Sequence, residues 1–200
     1  MKITQVTPSK KKNKYDVYVD GEFFATIPEQ TLLDYRVIAT NSEVDEAMLE
    51  EILRDSMRAS AYVDALNYVA STMRTSREVR DKLSRIGYTP DAIEEAMRRI
   101  EGYGYLDDRD YAINYVDKYR FSKGIVRIRH ELSQKGVAEE LIYEALIDFD
   151  EYEPAKSEAE RFAHRVKYDK VKLFRHLAVR GYSIEVINRV VSEVVEEYDE

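Results

Sequence analysis

The chain has 200 residues, 44% of them apolar and 35% charged, with a formal net charge of −8. That apolar fraction is too high for general disorder, and no run approaches the roughly 20 apolar residues that span a bilayer. The absence of cysteine excludes disulfides and thiolate metal sites, and the acidic balance weighs against a free-standing DNA binder.

Met1 to Gln5 carries no hydrophobic signal core, so a cytoplasmic protein is expected. Tyr15 to Val19 and Glu22 to Ile27 read as strands around Asp20-Gly21, a pair suited to a type I′ turn because both central residues need positive φ. Ile3 to Thr7 is a third strand, joined through the basic loop Ser9 to Lys14. Lys10, Lys11, Lys12 and Lys14 read first as a solvated loop and second as contacts to a phosphate backbone. Gln30 to Tyr35 and Ser42 to Arg54 are helical in pattern, the latter with Ser42 as N-cap and Asp45 as its acidic third position.

From about Met57 onward the pattern is helical throughout, in three passes of three helices each. Val79-Leu83-Gly87-Ile93-Met97 is matched by Ile128-Leu132-Gly136-Ile142-Leu146 and by Leu173-Leu177-Gly181-Ile187-Val191. The glycines recur at intervals of 49 and 45 residues, a period that marks stacked supersecondary units. In the first pass a helix from near Ser60 buries Ala61, Ala65, Tyr68, Val69 and Met73. Thr75 and Glu78 form a capping box for the middle helix, Gly87 ends it in the left-handed region, and Thr89-Pro90 opens the third. Ser183 plays the same capping part in the last pass. The predicted fold is mainly α: three tandem trihelical, helix-turn-helix-like repeats in an elongated curved array, preceded by a small β-sheet. The segments are 1–56, 57–106, 107–152 and 153–200.

No catalytic constellation emerges, and the chain is not expected to be an enzyme or to hold a cofactor. Phosphate-cradling glycine motifs are absent, and His130, His164 and His176 are scattered. Asp107-Asp108-Arg109-Asp110 reads as an N-cap with acidic first-turn residues rather than as a metal site.

Charge is segregated instead. Arg120 to Lys135 and Glu160 to Arg180 are basic, Glu139 to Glu160 is acidic, and the chain ends acidic at Glu193, Glu196, Glu197, Asp199 and Glu200. Basic residues concentrate in the middle helix of each unit, whereas the third helices carry Glu94, Glu139, Glu144 and Glu185. A recognition helix in the major groove should bring Arg, Lys, Asn or Gln to the bases, so sequence-specific DNA reading is disfavoured. A basic face with acidic rims suits a composite partner such as a nucleoprotein filament.

Gly104-Tyr105-Leu106-Asp107-Asp108, Tyr111-Ala112, Tyr115-Val116, Arg120, Lys123-Gly124, Arg127-Ile128, Leu132 and Lys135-Gly136-Val137 closely resemble the signature of the RecX family, bacterial regulators of the RecA recombinase. Tyr111 stands where that family often has Phe, a departure that leaves packing intact. The resemblance extends over nearly the whole chain. It implies a monomeric modulator lodged in the groove of the RecA–single-stranded-DNA filament, generally inhibiting ATP hydrolysis, strand exchange and co-protease activity. The expected contacts, certified by no family motif, are Arg77, Arg80, Arg127, Arg129, Lys170, Lys172 and Arg175. The alternative is a helical repeat protein acting directly on single- or double-stranded DNA.

Overall fold

The computed structural model describes residues 1–37 and 42–199 and is mainly helical, with one small antiparallel sheet. Glu200 of the acidic terminus lies outside the described residues. Strands β1 (Ile3–Pro8), β2 (Lys14–Val19) and β3 (Glu22–Pro28) pair in that order. Asp20 at φ 49° and Gly21 at φ 90° supply the two positive-φ residues that the turn between β2 and β3 needs. A sheet this small draws its stability from packing its apolar face. Ile3, Val17 and Ile27 bury one face against Leu32 of helix α1 (Glu29–Asp34) and against Leu49 and Ile52 of helix α2 (Glu46–Ser71).

Helix α2 corrects the sequence reading in three respects. The helices expected at Ser42 to Arg54 and from near Ser60 are one continuous helix of 26 residues, because nothing between Arg54 and Ser60 breaks it. Its N-cap is Asp45, whose carboxylate accepts from the Met48 amide at 2.8 Å, rather than Ser42. Met73, expected in the core, lies beyond the helix and is exposed. Lys14 likewise belongs to β2 rather than to the loop, and its Nζ donates to Ser60 Oγ on α2 at 2.9 Å.

The chain divides into two compact units, Met1–Met73 with Val79–Leu106, and Arg74–Glu78 with Asp107–Glu200. In the first, α2 packs with helix α4 (Pro90–Gly102), and Ala61, Ala65, Val79, Leu83, Ile93, Met97 and Ile100 form one core with residues of helix α3 (Ser76–Ile86). Gly87 turns the chain at φ 100°, and Thr89 caps α4 from the position before Pro90.

The second unit holds helices α5 (Asp108–Tyr119), α6 (Ile125–Gln134), α7 (Glu139–Leu146), α8 (Tyr152–Val166), α9 (Lys170–Arg180) and α10 (Ile184–Asp199). Two cores form here, one around Ala112, Ile128, Leu132 and Ile142, the other around Ala159, Leu173, Leu177 and Ile187. Ala155, Ala159 and Ala163, all fully buried, make one small-residue stripe that brings α8 close to its neighbours.

One seating arrangement occurs twice in this unit. Thr75 Oγ1 donates to the carbonyl of Lys135 at 2.7 Å, and the Ser76 amide donates to Asp108 Oδ1 at 2.8 Å. Forty-five residues along from Lys135, the carbonyl of Arg180 accepts from the Gly124 amide at 3.1 Å, and Glu151 Oε2 accepts from the Ile125 amide at 2.7 Å. Glu151 Oε1 also accepts from the Ser183 amide at 2.9 Å, so one carboxylate, only 5% exposed, serves the amino ends of α6 and α10. Gly124 and Gly181 are in backbone contact: a Cβ on Gly124 would overlap the carbonyl of Gly181, and a Cβ on Gly181 would overlap Arg127.

Two stability outcomes follow from these placements. Glu151→Ala removes a buried acceptor from the Ile125 and Ser183 amides at two helix starts and should cost about 2–4 kcal/mol, read by urea unfolding. Gly136→Val, at φ 82° and against the Arg77 side chain, should lose at least about 1–2 kcal/mol, and an unchanged thermal midpoint would contradict the left-handed assignment.

Candidate partner-binding surface

The residues expected to touch a partner lie on the three middle helices, but their surroundings differ. Arg80 on α3 forms an ion pair with Glu94 on α4. Arg129 on α6 reaches Glu139 at the start of α7, donating from Nε at 3.1 Å and from Nη2 at 2.8 Å. Arg127 pairs with Glu131 one turn on, at 2.9 Å, and Lys172 lies 3.4 Å from Asp169. Arg77 packs its aliphatic stem over Gly136. Lys170 and Arg175 on α9 are exposed, with no ion-pair partner among the described residues. Carboxylates of the third helices therefore answer Arg80 of α3 and Arg129 of α6, while Lys170 and Arg175 of α9, like Lys82 of α3, are open to solvent or a ligand. Exposed pairs of this kind contribute little to stability, so a polyanion can compete for their cations at small cost.

A tighter cluster stands behind Arg127. Glu131 accepts from Lys123 Nζ at 2.6 Å, from the Tyr115 hydroxyl at 2.6 Å and from Arg127. Burial works against its charge, but these three donors outweigh burial and hold its carboxyl down at about 2. Burial, then the neighbouring Glu131, pushes the Tyr115 hydroxyl well above its usual range. Lys123 also lies 3.6 Å above the centre of the Tyr119 ring, and the rings of Tyr111, Tyr115 and Tyr119 succeed one another along α5. This network ties Lys123, at the entrance to α6, and Arg127 to α5.

Asp107 is the N-cap of α5, accepting from the amides of Arg109 and Asp110. Among the described residues no group of three or more His, Asp or Glu side chains could hold a metal ion, and no helix is long and apolar enough to cross a membrane. Lys10, Lys11 and Lys12 are exposed.

Sequence reasoning missed a groove of about 620 Å³ between α6 and α7. Its floor is Ile125, Ile142 and Leu146; its rim carries Val126, Tyr143 and Ile147, which are 55%, 67% and 66% exposed. The signal lay in positions outside the core register. Counted from the left-handed glycine, those three places hold Arg77, Glu94 and Arg98 in the first unit of the repeat, and Val171, Asn188 and Ser192 in the third.

Known proteins resemble the chain along most of its length. The family descriptions "RecX, first three-helix domain" and "RecX, second three-helix domain" match residues 61–99 and 107–146. A regulatory protein RecX of Limosilactobacillus reuteri is 30% identical, the alignment covering 99% of this chain and 78% of that one. Another, from Clostridium perfringens, is 31% identical over 95% of this chain and 94% of its own. A crystal structure of regulatory protein RecX superimposes with a TM-score of 0.72 at 29% identity, covering 94% of this chain and 98% of the other.

The depressed carboxyl gives a pH outcome. A folded-state value of about 2 lies below the unfolded one, so the contribution of Glu131 is fully present above about pH 4.5 and is lost as pH falls towards 2. Glu131→Gln should lower stability at pH 7 by about 1–3 kcal/mol and flatten the acid limb of a thermal-midpoint profile; parallel limbs would refute the assignment.

Proposed function

The chain belongs to the RecX family, and we propose that it regulates the RecA recombinase from within the groove of the RecA–single-stranded-DNA filament. Its effect in this reading is inhibitory, reducing ATP hydrolysis, strand exchange and co-protease activity. It acts as a cytoplasmic monomer built of the segments 57–106, 107–152 and 153–200 after the opening segment 1–56.

The observation that carries this reading is the set of exposed cations on the middle helices, Lys170 and Arg175 of α9 foremost. An acidic protein of net charge −8 that keeps Lys170 and Arg175 on one helix without an ion-pair partner among the described residues is suited to a surface presenting phosphate and protein together. Arg80, Arg127, Arg129 and Lys172 join them as contacts by exchanging an intramolecular carboxylate for an external anion, and Arg77 joins them from beside Gly136. A protein reading DNA directly through its third helices would have to bring Glu94, Glu139 and Glu185 towards the phosphates, which is electrostatically unfavourable.

The deciding experiment titrates the protein onto preformed filaments and follows DNA-dependent ATP hydrolysis. Saturable inhibition below one protein per recombinase protomer is expected. Lys170→Glu with Arg175→Glu should raise the half-inhibiting concentration about tenfold and reduce the salt slope by roughly 0.7 per cation. Tight, steeply salt-dependent affinity for naked DNA with no effect on the filament would establish direct DNA binding instead.

A further inference from the structure

Building on the recombinase reading, we infer that the groove between α6 and α7 receives an apolar helical segment of the protein partner, and not its nucleic acid. The residues lining the groove come from α6, α7 and the adjoining Ile147, with none from α5. The groove is thus the side of the helix pair that its own three-helix unit leaves uncovered. Along α7 and its C-cap the lining positions are Glu139, Ile142, Tyr143, Leu146 and Ile147, a three-and-four spacing whose last four places form an apolar stripe. A helix laid there with apolar side chains at matching spacing would complete a four-helix packing.

Charge decides against a phosphate backbone as occupant. The polar edge is the Arg129–Glu139 pair, which is neutral as a whole, with His130 and Ser133 beside it, and the rest of the rim is Val126, Tyr143 and Ile147. A polyanion would find one arginine there, Arg129, already paired with Glu139, and the rest of its length would have to lie across exposed hydrocarbon. A protein helix instead buries that hydrocarbon and can set one carboxylate opposite Arg129 and His130, both at the edge of the groove.

Size decides against a second copy of this chain. The eight residues of α7 span about 12 Å at 1.5 Å per residue, too short to bury the roughly 800 Å² per partner of a stable interface. The groove is a weak site that gains strength when a second contact, the exposed Lys170 and Arg175 of α9, is engaged on the same assembly.

The test uses the full chain with Tyr143→Glu and Ile147→Glu together, and separately Val126→Glu. Each changed residue is more than half exposed, so the fold should survive, and a thermal midpoint within about 2 °C of the parent verifies it. Inhibition of ATP hydrolysis on RecA–single-stranded-DNA filaments should weaken at least tenfold in both variants, while affinity for single-stranded DNA alone stays the same. A photocrosslinker in place of Tyr143 should capture the recombinase polypeptide. Inhibition equal to the parent's, or a crosslink to DNA or to another copy of the chain, would overturn the groove assignment while leaving the regulator reading intact. A parent protein that does not affect the filament at all would overturn that reading instead.

Discussion

The start of a middle helix in this fold must find something to hold its amide groups, and its own sequence supplies only part of it. The first amides of a helix have no partner within it. For α6 the acceptors are Glu151, the carbonyl of Arg180 and the carbonyl of Gly181, all beyond the three-helix bundle to which α6 belongs. That need explains why glycine stands at 124 and at 181: the two backbones approach so closely that neither position has room for a Cβ. The left-handed glycine is therefore both the end of one helix and the seat of another. It explains as well why a carboxylate that shares its sequence neighbourhood with many others is almost wholly buried.

The same economy governs the charges. Middle and third helices of a unit lie against each other, so a basic helix and an acidic one neutralise across their contact, as Arg80 does with Glu94 and Arg129 with Glu139. What is left over gives the surface its character. The second unit of the repeat offers hydrocarbon between α6 and α7, and the third offers cations on α9. One architecture thus presents different chemistry at corresponding places, and the difference is written in side chains that take no part in the shared core.

Much of the fold was legible because its determinants are local. The four-residue apolar steps placed Val79, Leu83, Ile128, Leu132, Leu173 and Leu177, and each is fully buried. The capping box of Thr75 and Glu78 closes with both of its hydrogen bonds, and Ser183 and Asp107 cap as their positions imply. What escaped depends on partners distant in sequence. Glu151 looked like one acid in an acidic stretch, since its acceptor role needs Ile125 and Ser183, 26 and 32 residues away. The neutralisation of Arg80 and Arg129 likewise could not be read from charge runs along the chain. Met73 satisfied the helical period, yet α2 ends before it. The groove was overlooked because its rim residues, apolar but out of register with the core, gave no periodic signal.

The unbroken course of α2 has a consequence for how this architecture can change over evolutionary time. One rod of 26 residues carries Leu49 and Ile52 into the sheet's core and Ala61 and Ala65 into the next. A loop between two cores would absorb an added or lost residue, but a helix converts each one into a turn of about 100° and a shift of about 1.5 Å. The sheet and the helices after it are thereby locked in phase, like two gears cut on one shaft. Insertions between them are tolerated only in steps near a whole number of helical turns.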